Sequence, residues 1–192
     1  MSDARKCPTL PGAVPVSWRG TMPALVSPSV RYEASYRDAM EEFVAEGRPE
    51  ELRALPQHAA FEAFVSQLDD YAHGRRLPDG WVPMSTFWLV DDDCFLGKLE
   101  IRHQLTELLR RVGGHIGYCI RPSERCRRYG TQLLALALPK CREIGLNRVL
   151  ITCDTTNVAS RRIIEANGGQ LEDVVPTEDG VGKIRFWIDL SG

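Results

Sequence analysis

The sequence lacks the features that mark several large classes of protein. Its 192 residues include six cysteines but no Cys-x-x-Cys pair, and several cysteines lie within apolar runs such as residues 149–153. This pattern is typical of small buried hydrophobic residues, not of a disulfide framework or a zinc site. His58, His73 and His103 have no ligand-like spacing, so we expect no metal. Reduced thiols are typical of a cytoplasmic protein.

Strong charge of one sign and long apolar segments are also missing. The formal net charge is −2, which provides no general attraction to nucleic acid or to an anionic membrane. No run approaches the roughly 18 apolar residues of a membrane-spanning helix. Residues 1–20 contain no apolar core of a secretory signal. We therefore expect a cytoplasmic protein of one domain, with neither nucleic acid nor a membrane as partner.

Proline distinguishes the start of the chain from the remainder. Five prolines occur in the first 28 residues, which show little periodicity, and this predicts an irregular arm over residues 1–24. Residues 25–192 are predicted to form a single domain. Leu25 and Val26 are expected to add a short first strand. Two helices are predicted next, at 33–47 and 59–71, because apolar residues recur there at helical spacing.

Beyond Pro83 the periodicity becomes that of strands joined by short turns. The predicted elements are strands at 86–90 and 94–102, a strand at 114–120, a helix ending before Gly145, a strand at 148–153, a helix at 159–166, and strands at 171–175 and 183–190. The strand, helix and strand between residues 114 and 153 form a β-α-β unit. Its two strands should therefore be parallel, with a right-handed crossover.

The segment IRPSERCRRYGT, residues 120–131, is the most informative part of the sequence. It joins the end of a predicted strand to the start of a helix, where unpaired N–H groups and the helix dipole attract anions. Gly130 permits close approach of the backbone to a phosphate. The neighbouring arginines add positive charge. The segment therefore predicts a pyrophosphate site, with a solvated basic turn as the alternative.

Two longer segments resemble a known family. Residues 115–134, HIGYCIRPSERCRRYGTQLL, are similar to the acetyl-CoA-binding motif of the GNAT superfamily of N-acetyltransferases. Residues 148–169, RVLITCDTTNVASRRIIEANGG, resemble the strand and helix that follow it. The resemblance extends over residues 85–190 and implies an α/β (α+β) fold. This fold is an αβα sandwich on a mixed, mostly antiparallel central sheet with one parallel β-α-β unit.

The resemblance also implies an activity, the transfer of an acetyl group from acetyl-CoA to a primary amine by direct attack. The acceptor would be a small molecule or a peptide. The family's phosphate loop matches residues 125–130, and the end of the preceding strand would bind the pantetheine arm through its backbone. A backbone N–H there would also meet the thioester oxygen. The residues assigned to the cofactor are Tyr118, Cys119, Ile120, Arg125, Cys126, Arg127, Arg128, Tyr129, Gly130, Thr131, Asn157 and Ser160.

Some of these assignments have alternatives. Asn157 is also suited to capping the helix that follows it. Arg128 stands where the family has its first glycine, which predicts weakened acetyl-CoA binding and tighter binding by Arg128→Gly. If the arginine instead contacts a phosphate, the same change weakens binding. Ile164 occupies the position, four residues after Ser160, where many members have the tyrosine that protonates the departing thiolate.

Glu100 and His115 are the candidates for the base that deprotonates the acceptor amine. They lie on adjacent predicted strands that face the expected cleft, and either could act directly or through one water molecule. An ordinary surface position on a strand is the alternative for each residue.

The alternative function is that of a protein with the same fold but little or no catalytic turnover. Such a chain would be a catalytically weakened acyl-CoA-binding or sensor protein, and would also suit a homodimer. A nucleic-acid binder that uses the arginines of residues 121–128 is disfavoured by the net charge and by the lack of interleaved exposed aromatic residues.

Overall fold

The computed structural model describes residues 22–52, 60–178 and 180–191. The predicted irregular arm lies almost entirely outside the described residues. Within them, seven strands form one sheet and four α-helices pack against it. The elements are β1 Ala24–Val26, α1 Glu33–Ala45, α2 Phe61–Ala72, β2 Met84–Asp91, β3 Cys94–Arg102, β4 Ile116–Ile120, α3 Tyr129–Glu143, β5 Arg148–Asp154, α4 Val158–Ala166, β6 Gln170–Val175 and β7 Lys183–Asp189.

The strand order in the sheet is β1-β2-β3-β4-β5-β7-β6. The β4–β5 pair is parallel, whereas the other neighbouring strands are antiparallel. Because α3 connects β4 to β5, the predicted mixed sheet with one β-α-β unit is confirmed. The predicted hairpin is confirmed too, since β2 and β3 pair over their whole length. Among the described residues, no helix combines the length and apolar character needed to cross a bilayer.

The parallel strands meet at one point. Ile116 on β4 lies opposite Ile151 on β5, and no further pair joins these strands in the described residues. On its other edge, β4 pairs with β3 from Ile116 to Ile120. The strands β4 and β5 therefore separate beyond Ile116, which leaves one edge of β4 open within the sheet.

Two hydrophobic clusters cover opposite faces of the sheet. One lies between the sheet and the helices α3 and α4, and the other lies under α1 and α2. The second is rich in aromatic rings, with Tyr36 stacked on Trp88 at 5.0 Å between ring centres. Side chains alternate along a strand. Tyr118 accordingly packs against the first cluster, and its neighbour Cys119 belongs to the second.

A turn that the sequence did not predict precedes β4. Residues Leu109–Gly113 form one π-helical turn, and Gly114 follows with φ of +68°. A Cβ atom at Gly114 would lie 2.6 Å from the carbonyl oxygen of Leu150, so only glycine fits this approach to β5. The strand consequently begins at Ile116 and not at the predicted residue 114.

Candidate functional site

The separation of β4 from β5 opens a cavity of about 840 Å³. Its walls come from β4, the junction between β4 and α3, the start of α4 and the segment after α1. The predicted cofactor-binding residues line this cavity, with the exception of Arg127. The fold therefore gathers residues from positions 118–131 and 157–160 into one place.

The junction between β4 and α3 has an unusual backbone. After the short 3-10 turn Pro122–Glu124, both Cys126 and Arg128 adopt positive φ angles, of 62° and 64°. Arg128 is the N-cap residue of α3, with ψ of 7°. This left-handed conformation suits glycine and costs other residues roughly 1–2 kcal/mol. The position at which the sequence departs from the family's glycine therefore has the conformation that favours glycine.

The first turn of α3 presents backbone N–H groups at the cavity. These groups have no acceptor within the helix, and the side chain of Arg128 makes no capping hydrogen bond. A Cβ atom at Gly130 would lie 2.5 Å from Cδ1 of Ile163, so glycine allows α3 to pack closely on α4. An N-terminus of this kind favours an anionic group.

Two arginines of the junction are held by acidic residues at the C-terminal end of α1, Glu42 in its last turn and Glu46 at its C-cap. The Nε atom of Arg121 lies 2.7 Å from Oε1 of Glu42, and a terminal nitrogen of Arg125 lies 2.8 Å from Oε1 of Glu46. The guanidinium of Arg125 also lies 5.5 Å from the ring centre of Phe43. These contacts join the junction to α1, so both arginines have a structural role.

The other two arginines of the junction differ from each other. Arg127 is 2.5 Å from a carboxylate oxygen of Glu124 and points away from the cavity lining. Arg128 lines the cavity, and within the described residues no carboxylate lies at ion-pair distance from it. Arg128 is therefore the arginine of the junction best placed to contact an anion in the cavity.

The α4 wall of the cavity carries hydroxyl groups. The side chain of Asn157 accepts a hydrogen bond from the N–H of Ser160 at 3.0 Å, which confirms the capping alternative for Asn157. The Ser160 hydroxyl lies 2.8 Å from that of Tyr118. Burial raises the pKa of Tyr118 to about 12, so its hydroxyl stays protonated at neutral pH. The pair can donate a hydrogen bond into the cavity.

The cavity continues through the sheet. Tyr118 and Cys119 point to opposite faces, yet both line it. On the second face, the Cys119 thiol donates a weak hydrogen bond to the carbonyl oxygen of Glu51 at 3.6 Å, and Arg48 and Glu51 complete the lining there. Burial raises the pKa of the Cys119 thiol to about 12, so it is not a thiolate nucleophile at neutral pH.

Neither predicted base lines the cavity. Glu100 on β3 lies opposite Gly117, on the same face of the sheet as Cys119. Its carboxylate is 3.2 Å from the ammonium of Lys98, and both side chains are largely buried. Glu100 borders a narrow crevice under α1 and α2, which includes Thr86.

His115 lines neither the cavity nor this crevice. Its ring is buried, and Nδ1 accepts a hydrogen bond from the N–H of Leu150 at 2.9 Å. Burial and nearby arginines lower its pKa to about 4, so the ring is neutral at physiological pH. The ring of Trp187 is 6.2 Å away. Because the Nδ1 lone pair is already used, the structure gives no geometric support to His115 as the base.

Arg48, Glu51 and Arg162 line the cavity without having been predicted from the sequence. Arg162 lies two residues beyond Ser160 on α4, so the predicted helix at 159–166 was a signal from which Arg162 could have been identified. Arg48 and Glu51 follow α1 in a segment without a recognisable motif, and only the folded chain brings them to β4.

Comparison with known proteins places this geometry in a family. A family model described as Acetyltransferase (GNAT) domain matches residues 33–170. Curated protein sequences yield no significant match. Several solved structures share the fold.

Mycobacterium smegmatis RimJ in complex with CoA-disulfide has a TM-score of 0.60 at 22% identity, over 86% of this chain and 80% of that chain. A chimera of the Vibrio cholerae spermidine N-acetyltransferase SpeG with hSSAT has a TM-score of 0.59 at 14% identity, over 89% and 97%. Salmonella typhimurium yncA, a putative acetyltransferase with its cofactor acetyl-CoA, has a TM-score of 0.57 at 10% identity, over 88% and 94%. These identities show a common fold. Because the family model covers most of the chain, the protein belongs to the GNAT acetyltransferase family.

Proposed function

We propose that this protein is an N-acetyltransferase that transfers the acetyl group of acetyl-CoA to a primary amine. The observation that supports this most is the cavity that starts at the N-terminus of α3, follows β4 and has lining residues on both faces of the sheet. It offers an anion site at one end, an open strand edge in the middle, and the charged residues Arg48 and Glu51 on the other face. The neighbours RimJ and yncA hold CoA-disulfide and acetyl-CoA, which supports the same cofactor here.

Each part of the cavity suits one part of acetyl-CoA. The pyrophosphate would lie against the N–H groups of residues 129–131, with Arg128 beside it. The pantetheine arm would extend along the open edge of β4, where backbone groups are available for pairing. A β4 backbone N–H would then stabilise the oxyanion that forms on the thioester carbonyl.

The reaction conserves atoms and charge within this arrangement. The neutral amine attacks the thioester carbon, and the tetrahedral intermediate collapses to an amide and the CoA thiolate. The amine nitrogen loses one proton and the thiolate gains one. We propose that Tyr118, which stays protonated and lines the cavity, donates a hydrogen bond to the departing sulfur. We propose Glu100 as the base, acting through water: its carboxylate lies outside the cavity lining but on the same face of the sheet as Cys119, which lines the cavity.

Two measurements on the whole chain test this function. Acetyl-CoA should stabilise the fold, by about 2.7 kcal/mol at a hundred times its Kd. Release of CoA thiol should then depend on an added amine, in a screen of amino acids, polyamines and peptides. A protein that acetyl-CoA does not stabilise would contradict the proposal. Stabilisation without turnover of any amine would favour the alternative, an acyl-CoA-binding sensor.

A further inference from the structure

On the face of the sheet opposite α4, the cavity ends at a pair of opposite charges. Arg48 and Glu51 form an ion pair, with side chains that are 49% and 25% exposed. Both line the cavity. They lie at the two ends of a segment that includes the short 3-10 turn Pro49–Glu51, directly after α1. The pair is therefore reachable from solvent and from the cavity.

The position of this pair is fixed from three directions. The N–H of Arg48 donates to the carbonyl of Phe43 at 2.9 Å, which joins it to the end of α1. The carbonyl of Glu51 accepts from the Cys119 thiol on β4. Leu52, the next residue, is 1% exposed and belongs to the aromatic cluster. The pair accordingly has a defined location beside β4.

The charges in the cavity differ between its two ends. At the α3 end, the N–H groups, Arg128 and Arg162 all favour an anion. The carboxylate of Glu124 lines that end too, but it is paired with Arg127 in the junction. On the other face, Glu51 supplies a carboxylate and Arg48 a guanidinium at the same place. This end of the cavity can therefore bind a positive and a negative group together.

We propose that Arg48 and Glu51 bind the acceptor, and that the acceptor is a small zwitterion whose ammonium lies next to a carboxylate, as in an α-amino acid. This inference rests on the proposed function. Glu51 would accept hydrogen bonds from the ammonium, and Arg48 would hold the carboxylate through its planar fork. The two new ion pairs replace the single pair between Arg48 and Glu51.

A polyamine fits this end less well for an electrostatic reason. It brings a second cation toward Arg48 without an anion to balance it, and like charges at a binding surface are unfavourable. An amino acid amide keeps the ammonium but loses the partner of Arg48, which leaves that guanidinium without the new ion pair. Selectivity among these three acceptors therefore reports on the pair.

The first test uses the unaltered protein, with acetyl-CoA and a thiol-release assay. Free L-amino acids, the corresponding L-amino acid amides and spermidine are compared as acceptors. We expect kcat/KM to be at least about tenfold higher for an amino acid than for its amide, the value of one charge-assisted hydrogen bond. Equal rates for acid and amide, or a preference for spermidine, would overturn the inference. Turnover of amides or spermidine would still uphold the proposed function.

The second test removes each charge. Glu51→Gln and Arg48→Gln should each raise the KM for the amino acid about tenfold or more, with the KM for acetyl-CoA and the unfolding midpoint unchanged. In Arg48→Gln, the difference between acid and amide should also disappear. Glu50→Gln is the matched control, because this exposed neighbour in the same turn does not line the cavity. If Arg48→Gln lowers activity equally for acid and amide, the pair only maintains structure and the inference is wrong.

Discussion

The left-handed backbone at Arg128 predicts that Arg128→Gly makes the protein more stable but weakens its binding of acetyl-CoA. Arg128 caps α3, and the N–H of Gln132 donates to its carbonyl at 3.2 Å, so the start of the helix sets its φ of 64°. Replacement by glycine relieves roughly 1–2 kcal/mol of backbone strain. Glycine also loses roughly 0.5–1 kcal/mol more conformational entropy on folding. Arg128→Gly should therefore raise the free energy of unfolding by about 0.5–1 kcal/mol, or the melting temperature by about 1–4 °C.

The affinity for acetyl-CoA should change in the other direction. Strain that belongs to the native backbone is present with and without cofactor, so its relief contributes to stability and not to affinity. The sequence-based expectation of tighter binding assigned that strain to the binding step. The lost guanidinium, which lines the cavity, contributes about 1.5–3 kcal/mol as a charged hydrogen-bond donor. We therefore expect Arg128→Gly to bind acetyl-CoA at least about tenfold more weakly, with a smaller salt dependence.

Cys126→Gly is the matched control for this prediction. Cys126 has nearly the same φ, 62°, and also lines the cavity, but it carries no positive charge. It should gain similar stability and keep the salt dependence of acetyl-CoA binding. The measurements are denaturant unfolding without acetyl-CoA and calorimetric affinity at two salt concentrations. An Arg128→Gly protein that is less stable, or that binds more tightly with unchanged salt dependence, would refute the reasoning.

Three further predictions concern the residues around the cavity. Tyr118→Phe keeps the ring and removes the hydroxyl beside Ser160, so kcat should fall about tenfold at constant acetyl-CoA affinity; an unchanged kcat would exclude the hydroxyl from thiolate stabilisation. Glu100→Gln should slow turnover far more than it alters acetyl-CoA affinity, and an unchanged rate from about pH 6 to 9 would remove Glu100 as the base. The pKa of His115 is about 4 in the native state, below its value in the unfolded chain. Its neutral ring therefore contributes fully to the free energy of unfolding above about pH 6.5, and this contribution is lost as the pH falls toward 4. In His115→Gln, the loss of unfolding free energy between about pH 6.5 and pH 4 should be smaller by up to about 3 kcal/mol. An unaltered dependence of stability on pH would contradict the low pKa.

The parts of the fold that the sequence predicted are those set by local patterns. The β-α-β unit follows from apolar periodicity, from the arginine-rich segment before α3 and from Gly145 after it. The hairpin of β2 and β3 follows from two apolar runs around a short acidic turn. The boundaries differ by one or two residues, because pairing and not propensity decides where a strand ends; Met84, for instance, pairs with Arg102.

The parts that the sequence did not predict depend on contacts between distant segments. Arg121 and Arg125 resemble phosphate ligands in the sequence, but each pairs with a carboxylate at the end of α1 that is 79 positions away. Glu51 reaches the cavity because its segment packs on Cys119, 68 positions away. No local pattern encodes these approaches. The cytoplasmic location, the homodimer and the role of Glu100 stay predictions.

The single bridge between Ile116 and Ile151 also affects how the sheet holds together. Backbone hydrogen bonds make neighbouring strands open and close as a unit. Among the described residues, the backbone contact between the four-stranded half and the three-stranded half narrows to the Ile116–Ile151 pair and the adjacent hydrogen bond from the N–H of His115 to the carbonyl of Leu150. Packing beneath α3 and α4 connects the halves elsewhere. A substrate arm that pairs with the open edge of β4 adds hydrogen bonds where the network has fewest. Occupancy of the gap should therefore slow amide hydrogen exchange in β4 and in β5 together, so that the substrate acts as part of the sheet while it is bound.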